Sequence, residues 1–180
     1  MEEKIVYFEK TGKDNTEALF EIVDRAITEL GIQKIVLAST RGDTARFAMD
    51  RYKGQGVRLI VIPHQYGFGP GQRFPQELVE RAEKEGHVVY FGTMLFHQEK
   101  LFGSGPAQWV ADFLRAFSQG VKVCVEILLM AGNAGLVAQE EEVIVIAGTG
   151  WGAETALIMT GATSTNLKTM HISRILCKPL

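Results

Sequence analysis

Apolar residues recur every three or four positions over 16–30, where Ala18, Leu19, Ile22, Val23, Ala26, Ile27 and Leu30 would share one helix face, and Gly31 stops the helix. Short, largely apolar runs at 5–8, 35–38, 57–62, 87–91 and 143–147 have the length of buried strands. Between them the pattern predicts further helices at 44–52, 75–86, 106–118 and 121–136. The last is nearly apolar all round, as a deeply buried helix would be. On the 106–118 helix, Trp109, Val110, Phe113, Leu114 and Phe117 place Trp109 in the core or at a helix interface. Residues 95–105 read as irregular. The tail predicts two more strands, 155–159 and 172–177, antiparallel at an edge. Strands alternating with helices give an α/β fold, a three-layer α/β/α arrangement with a mainly parallel sheet. No linker, repeat or low-complexity tract divides residues 1–180, so one domain is expected.

Composition narrows the partners more than the fold. An apolar fraction of 46% and a charged fraction of 22% suit a globular chain that buries its own core. A net charge of -2 gives no general attraction to nucleic acid or to anionic membrane, and neither is expected as a partner. The apolar run 123–131 is short and broken by Glu126, so no membrane span is predicted. The two cysteines, Cys124 and Cys177, lie among apolar neighbours and read as reduced core residues. With a start lacking the basic-then-apolar pattern of a signal peptide, they point to a cytoplasmic chain. Oligomeric state stays open, a homo-oligomer included. No spacing of His, Cys or carboxylates predicts a metal site.

In a parallel sheet, ligands bind beyond the carboxyl ends of the strands. Four loops leave that edge: 39–44, 63–71, 92–97 and 148–153. They carry Gly with Thr, Ser or His, whereas the opposite loops, such as 30–34, are short and plain. The candidate binding residues are therefore Ser39, Thr40, Arg41, Gly42, Asp43 and Thr44; His64 and Gly67; Gly92 and Thr93; and Gly148, Thr149, Gly150, Trp151 and Gly152. The loop at 39–44 opens a helix, and the unpaired N–H groups and partial positive charge of a helix N-terminus suit a phosphate. Gly42 would let the backbone approach the ligand closely. The plainer reading is a capped helix after a strand. Trp151, flanked by glycines, is either a stacking surface for a planar ligand or an aromatic plug. His64 at the same edge could transfer protons. Glu126, inside an apolar helix, needs a partner; Lys122 four residues earlier supplies a structural pair.

Ser39-Thr40-Arg41-Gly42-Asp43-Thr44 resembles the flavodoxin phosphate loop Thr/Ser-x-Thr-Gly-x-Thr, with Ser39, Gly42 and Thr44 matching and Arg41 replacing the middle Thr. A broader resemblance, over about 35–168, is to the C-terminal α/β domain of pyruvate kinase. There the effector loop reads Thr-Lys-Ser-Gly-Arg-Ser-Ala, before a helix ending Ala-Arg-Tyr-Arg. Here 39–45 takes that place, and Asp50-Arg51-Tyr52-Lys53 ends the helix. Glu142 to Gly148 is similar to the family's Gly-Asp-x-Val-Val-Val-x-x-Gly, and Ser164-Thr165-Asn166-Leu167-Lys168 to its closing Thr-Thr-Asn-x-Ile-Lys.

The resemblance implies that Ser39, Thr40, Gly42 and Thr44 are phosphate ligands, since that loop grips a sugar phosphate effector in the family. Arg41 and Asp43 depart from its pattern, and Asp43 removes a cation. It also implies no pyruvate kinase activity for this chain alone, because the family's metal and pyruvate sites lie in a separate barrel. The reading that joins these strands is a protein that binds a monophosphorylated small molecule, FMN being favoured. A regulatory sugar-phosphate module and a phosphate-ester enzyme using His64 or Glu126 are the alternatives.

Overall fold

A computed structural model describes residues 4–97, 103 and 105–180. The apolar runs form β1 (Val6–Phe8), β2 (Lys34–Ala38), β3 (Arg58–Ile62), β4 (Val88–Val89) and β5 (Glu142–Ala147), and the tail forms β6 (Thr155–Thr160) and β7 (His171–Pro179). The periodic stretches form α1 (Thr16–Leu30), α2 (Asp43–Arg51), α3 (Gln76–Lys84), α4 (Pro106–Arg115) and α5 (Gln119–Asn133). Most of the irregular stretch expected at 95–105 lies outside the described residues.

One sheet runs in the order β1-β7-β6-β5-β2-β3-β4. Neighbours β1–β7, β5–β2, β2–β3 and β3–β4 are parallel, and only β6 opposes the strands beside it. The C-terminal strands are thus antiparallel, but the edge beyond them is taken by β1, which pairs Val6 with Cys177. Side chains alternate across the central strands. Ile35, Leu37, Leu59 and Val61 face a core completed by Leu19, Phe20 and Val23 of α1, Met49 of α2 and Leu78 of α3. Val36, Ile60, Val143 and Val145 face the opposite core, closed by α5. Burial on both faces is why these strands are apolar throughout rather than alternating.

The α4–α5 junction, the length of β4 and the exposure of Trp109 differ from the periodicity for local reasons. The Ser118 hydroxyl accepts from the Val121 N–H at 3.0 Å, so α5 begins at Gln119 and α4 ends earlier than predicted. Strand β4 spans two residues instead of five. Only the Tyr90 N–H continues its ladder, to the Val61 carbonyl at 2.9 Å, before the chain leaves the sheet. Trp109 is 71% exposed, contrary to its expected burial. Helix α4 has apolar residues on two faces; it buries Ala111 and packs Leu114 inward, leaving Trp109 and Phe113 outside.

Each core holds one thiol, Cys177 on the α1 side and Cys124 on the α5 side. Burial pushes Cys177 up to about 12 and Cys124 well above the usual thiol range. Among the described residues, no helix is long and apolar enough to cross a membrane.

The tightest approach of α5 to its surroundings is at Gly132, where an added Cβ would lie 1.9 Å from the Ala162 carbonyl oxygen. Gly132→Ala is therefore expected to destabilise the fold by about 1–3 kcal/mol, despite the better helix propensity of Ala. Urea denaturation checks this, and an unchanged or raised midpoint would contradict it.

Candidate functional site

Because β2, β3, β4 and β5 are parallel, the four loops after them converge at one edge of the sheet. The first loop continues the β2–β3 ladder by one bond, from the Ser39 N–H to the Ile62 carbonyl at 3.3 Å. The Ser39 hydroxyl then turns inward and accepts from the Ala45 N–H at 3.2 Å, capping α2. The helical ladder opens with the Arg46 N–H on the Gly42 carbonyl at 2.8 Å. The N–H groups of Asp43 and Thr44, in the first turn, have no carbonyl behind them in the helix. Gly42 has φ 91°. A Cβ there would lie 2.3 Å from Leu78 Cδ1 and 3.1 Å from Pro75 Cδ, so a glycine at this positive φ also suits the meeting of α2 with α3.

A cleft of about 230 Å³ forms over the α2 N-terminus. Thr40, Arg41, Asp43 and Thr44 line one side, and Gly148, Thr149, Gly150, Trp151 and Gly152 line the other, with His64 and Arg73 completing the wall. Ten of the expected residues thus come together. Ser39 and Gly42 lie behind the surface of this cleft, and Gly67, Gly92 and Thr93 do not line it. A larger groove of about 570 Å³ runs between α1 and the β1–β7 edge, past Arg25, Glu29 and Arg174, but gathers none of the four loops.

The 148–152 loop is held by Glu154, whose side chain is fully buried. Its Oε2 accepts from the Thr149 N–H at 2.9 Å and the Gly12 N–H at 3.2 Å, tying the loop to the β1–α1 connection. Burial raises the Glu154 carboxyl above its ordinary range, against the pull of these bonds from Thr149 and Gly12. Trp151 sits at φ 65°, a conformation that costs a non-glycine residue about 1–3 kcal/mol. The Arg41 guanidinium lies 4.0 Å over its ring, so one face of the indole is already covered.

A second cavity, of about 240 Å³, adjoins the first and shares Ala38, Thr40, His64 and Gly148 with it. His64 stands at the junction. Its Nε2 is 3.3 Å from the Thr40 hydroxyl, and Phe68 packs edge-on between it and His97. Burial, then the nearby His97 and Arg73, lower the His64 pKa and favour the neutral ring.

Beyond it lies the buried pair. Lys122 Nζ donates to Glu126 Oε2 at 2.6 Å, the Phe96 N–H donates to Glu126 Oε1 at 2.8 Å, and His97 Nδ1 lies 3.2 Å from the same oxygen. Burial alone would push the Glu126 carboxyl up. The bonds from His97, Lys122 and Phe96, with the Lys122 charge, outweigh it and hold the group below the carboxylate range. The Lys122–Glu126 pairing follows from their spacing on one helix; the recruitment of Phe96 and His97 does not. Arg73, Glu154 and His97 were not among the expected site residues. Arg73 carried one usable signal, a lone cation in a ligand-edge loop just before a helix.

The model of the family described as "Pyruvate kinase, alpha/beta domain" matches residues 17–159 of the 180. The match spans α1 to β6 and takes in all four loops at the ligand edge.

Lys122→Met leaves the Glu126 carboxylate buried without its charged partner, and a loss of about 3–5 kcal/mol is expected. Glu126→Gln should cost about 1–3 kcal/mol. Since Glu126 titrates below 4.5 in the fold, its contribution is complete above 4.5 and is lost as pH falls through the lower folded value. The stability gap between the wild type and Glu126→Gln should therefore narrow on acidification. Urea denaturation of both at pH 7 and in increasingly acidic buffer tests this; a gap that widens would show that the carboxylate is not the favoured form.

Proposed function

The chain belongs to the pyruvate kinase alpha/beta domain family, and on that footing we propose that it binds a phosphorylated small molecule at the C-terminal edge of its sheet, with FMN the favoured ligand. The observation that carries the reading is the meeting of the α2 N-terminus, the Thr40 and Thr44 side chains, and two arginines in one cleft. Unpaired helix N–H groups and guanidinium forks are the donors a phosphate dianion takes up. Asp43 offsets one of the two cations, which favours one phosphate group over two. His64, kept neutral by burial, can donate or accept a single hydrogen bond there.

A sugar monophosphate is the second reading. It is favoured by the polar character of the cleft over α2, where Arg41, Asp43, Thr44, Arg73 and Thr149 offer partners to hydroxyl groups.

Arg73→Ala should weaken FMN binding about 10- to 100-fold, the loss of one charge-assisted contact of about 1.5–3 kcal/mol. Flavin fluorescence titration reads this directly, with glucose 6-phosphate and inorganic phosphate as competitors. Displacement by the sugar phosphate with no FMN binding above the inorganic phosphate level would select the second reading. Absence of binding by all three would sink both.

A further inference from the structure

Building on the phosphate-binding reading, we propose that the two adjoining cavities are one bipartite site. The phosphate of a ligand sits over α2, and the apolar or heteroaromatic body of the same molecule fills the second cavity beside His97. The two spaces share Ala38, Thr40, His64 and Gly148 as lining, so they lie side by side at the same sheet edge, and a ligand spanning both would pass the Thr40–His64 junction. At about 230 and 240 Å³, each falls short of the roughly 300 Å³ at which small-molecule sites begin, and joined they exceed it.

The chemistry of the second cavity selects the kind of body. Ile62, Met94, Ile127 and Met130 give it apolar walls, two of them adaptable thioethers. Both Glu126 oxygens are engaged within the protein, one by Lys122 and one by Phe96 and His97. His97 Nδ1 faces the buried pair, 3.2 Å from Glu126 Oε1 and 3.4 Å from Lys122 Nζ, which leaves Nε2 as its ring nitrogen for a ligand. An apolar body carrying one or a few heteroatoms suits this lining. The hydroxyls of a sugar would lose water there with too few partners in return. Trp151 is the weaker place for a ring, because Arg41 already covers one indole face and the residue is 60% exposed.

The test uses two probes, inorganic phosphate and 1-naphthyl phosphate, on the full chain labelled with ¹³C at its six methionine methyls. Naphthyl phosphate is expected to bind at least ten-fold tighter than inorganic phosphate and to shift the Met94 and Met130 methyl signals, while inorganic phosphate shifts neither. Val123→Phe, which narrows the second cavity from α5, should abolish the ten-fold advantage and leave inorganic phosphate affinity as it was. The bipartite site is overturned if the protein binds inorganic phosphate yet naphthyl phosphate gains nothing over it, or leaves both methyls unmoved. A protein that binds neither probe loses the phosphate-binding reading, and the bipartite site falls with it.

Discussion

A carboxylate in an apolar helix constrains more of this molecule than any other single group. Glu126 is 2% exposed and Lys122 is fully buried, so neither charge can be left to water. The ion pair alone would leave Oε1 without a partner, and the chain after β4 supplies the donors. Pinning Phe96 and His97 to α5 draws the 92–97 loop over the end of the sheet. The same loop is fixed from the other side, where the Met94 N–H donates to the Gln65 side chain at 2.7 Å. The wall of the second cavity is thus a consequence of satisfying one buried oxygen. Breaking such a pair leaves a charge stranded, whereas two well-packed apolar residues would fold as well or better. Its presence is a matter of arrangement more than of stability.

The first cleft is built on a similar plan with a different anchor. Glu154 faces backbone donors from two distant segments, and burial favours its neutral form where Glu126 favours the charged one. One acid locks a loop by charge, the other by backbone hydrogen bonds. Both stand behind loops at the carboxyl ends of parallel strands, and β6, the strand that runs the other way, carries Thr155 directly after Glu154 at that same edge. The antiparallel turn from β5 to β6 therefore closes the cleft without a crossover helix.

Much of this was readable in the residues. Strands buried on both faces announce themselves as nearly unbroken apolar runs, so 35–38, 57–62 and 143–147 pointed to a central parallel sheet. The loops at 39–44 and 148–153 stood out because small and hydroxylated residues cluster where strands end. What stayed hidden depends on contacts across the chain. Ser39 could be a phosphate ligand or a cap by type alone; its hydroxyl accepts from the Ala45 N–H in the first turn of α2, and it does not line the cleft. Gly42 looked permissive toward a ligand; its packing against Leu78, thirty-six residues later, was not visible from the loop. Trp109 misled because α4 is apolar on two faces, and periodicity cannot say which face meets the protein. Arg73 offered only its charge in a ligand-edge loop, and His97 reaches the second cavity through a loop path that no local pattern encodes.

The two thiols give the layered fold a property of its own. Cys124 belongs to the core under α5 and Cys177 to the core under α1, with the sheet between them. Each is fully buried and held as the unreactive thiol at neutral pH. Neither can meet an alkylating reagent until its own layer parts from the sheet. The chain therefore carries an independent clock on each side, and the ratio of the two labelling rates measures whether the layers open as one cooperative unit or peel away separately.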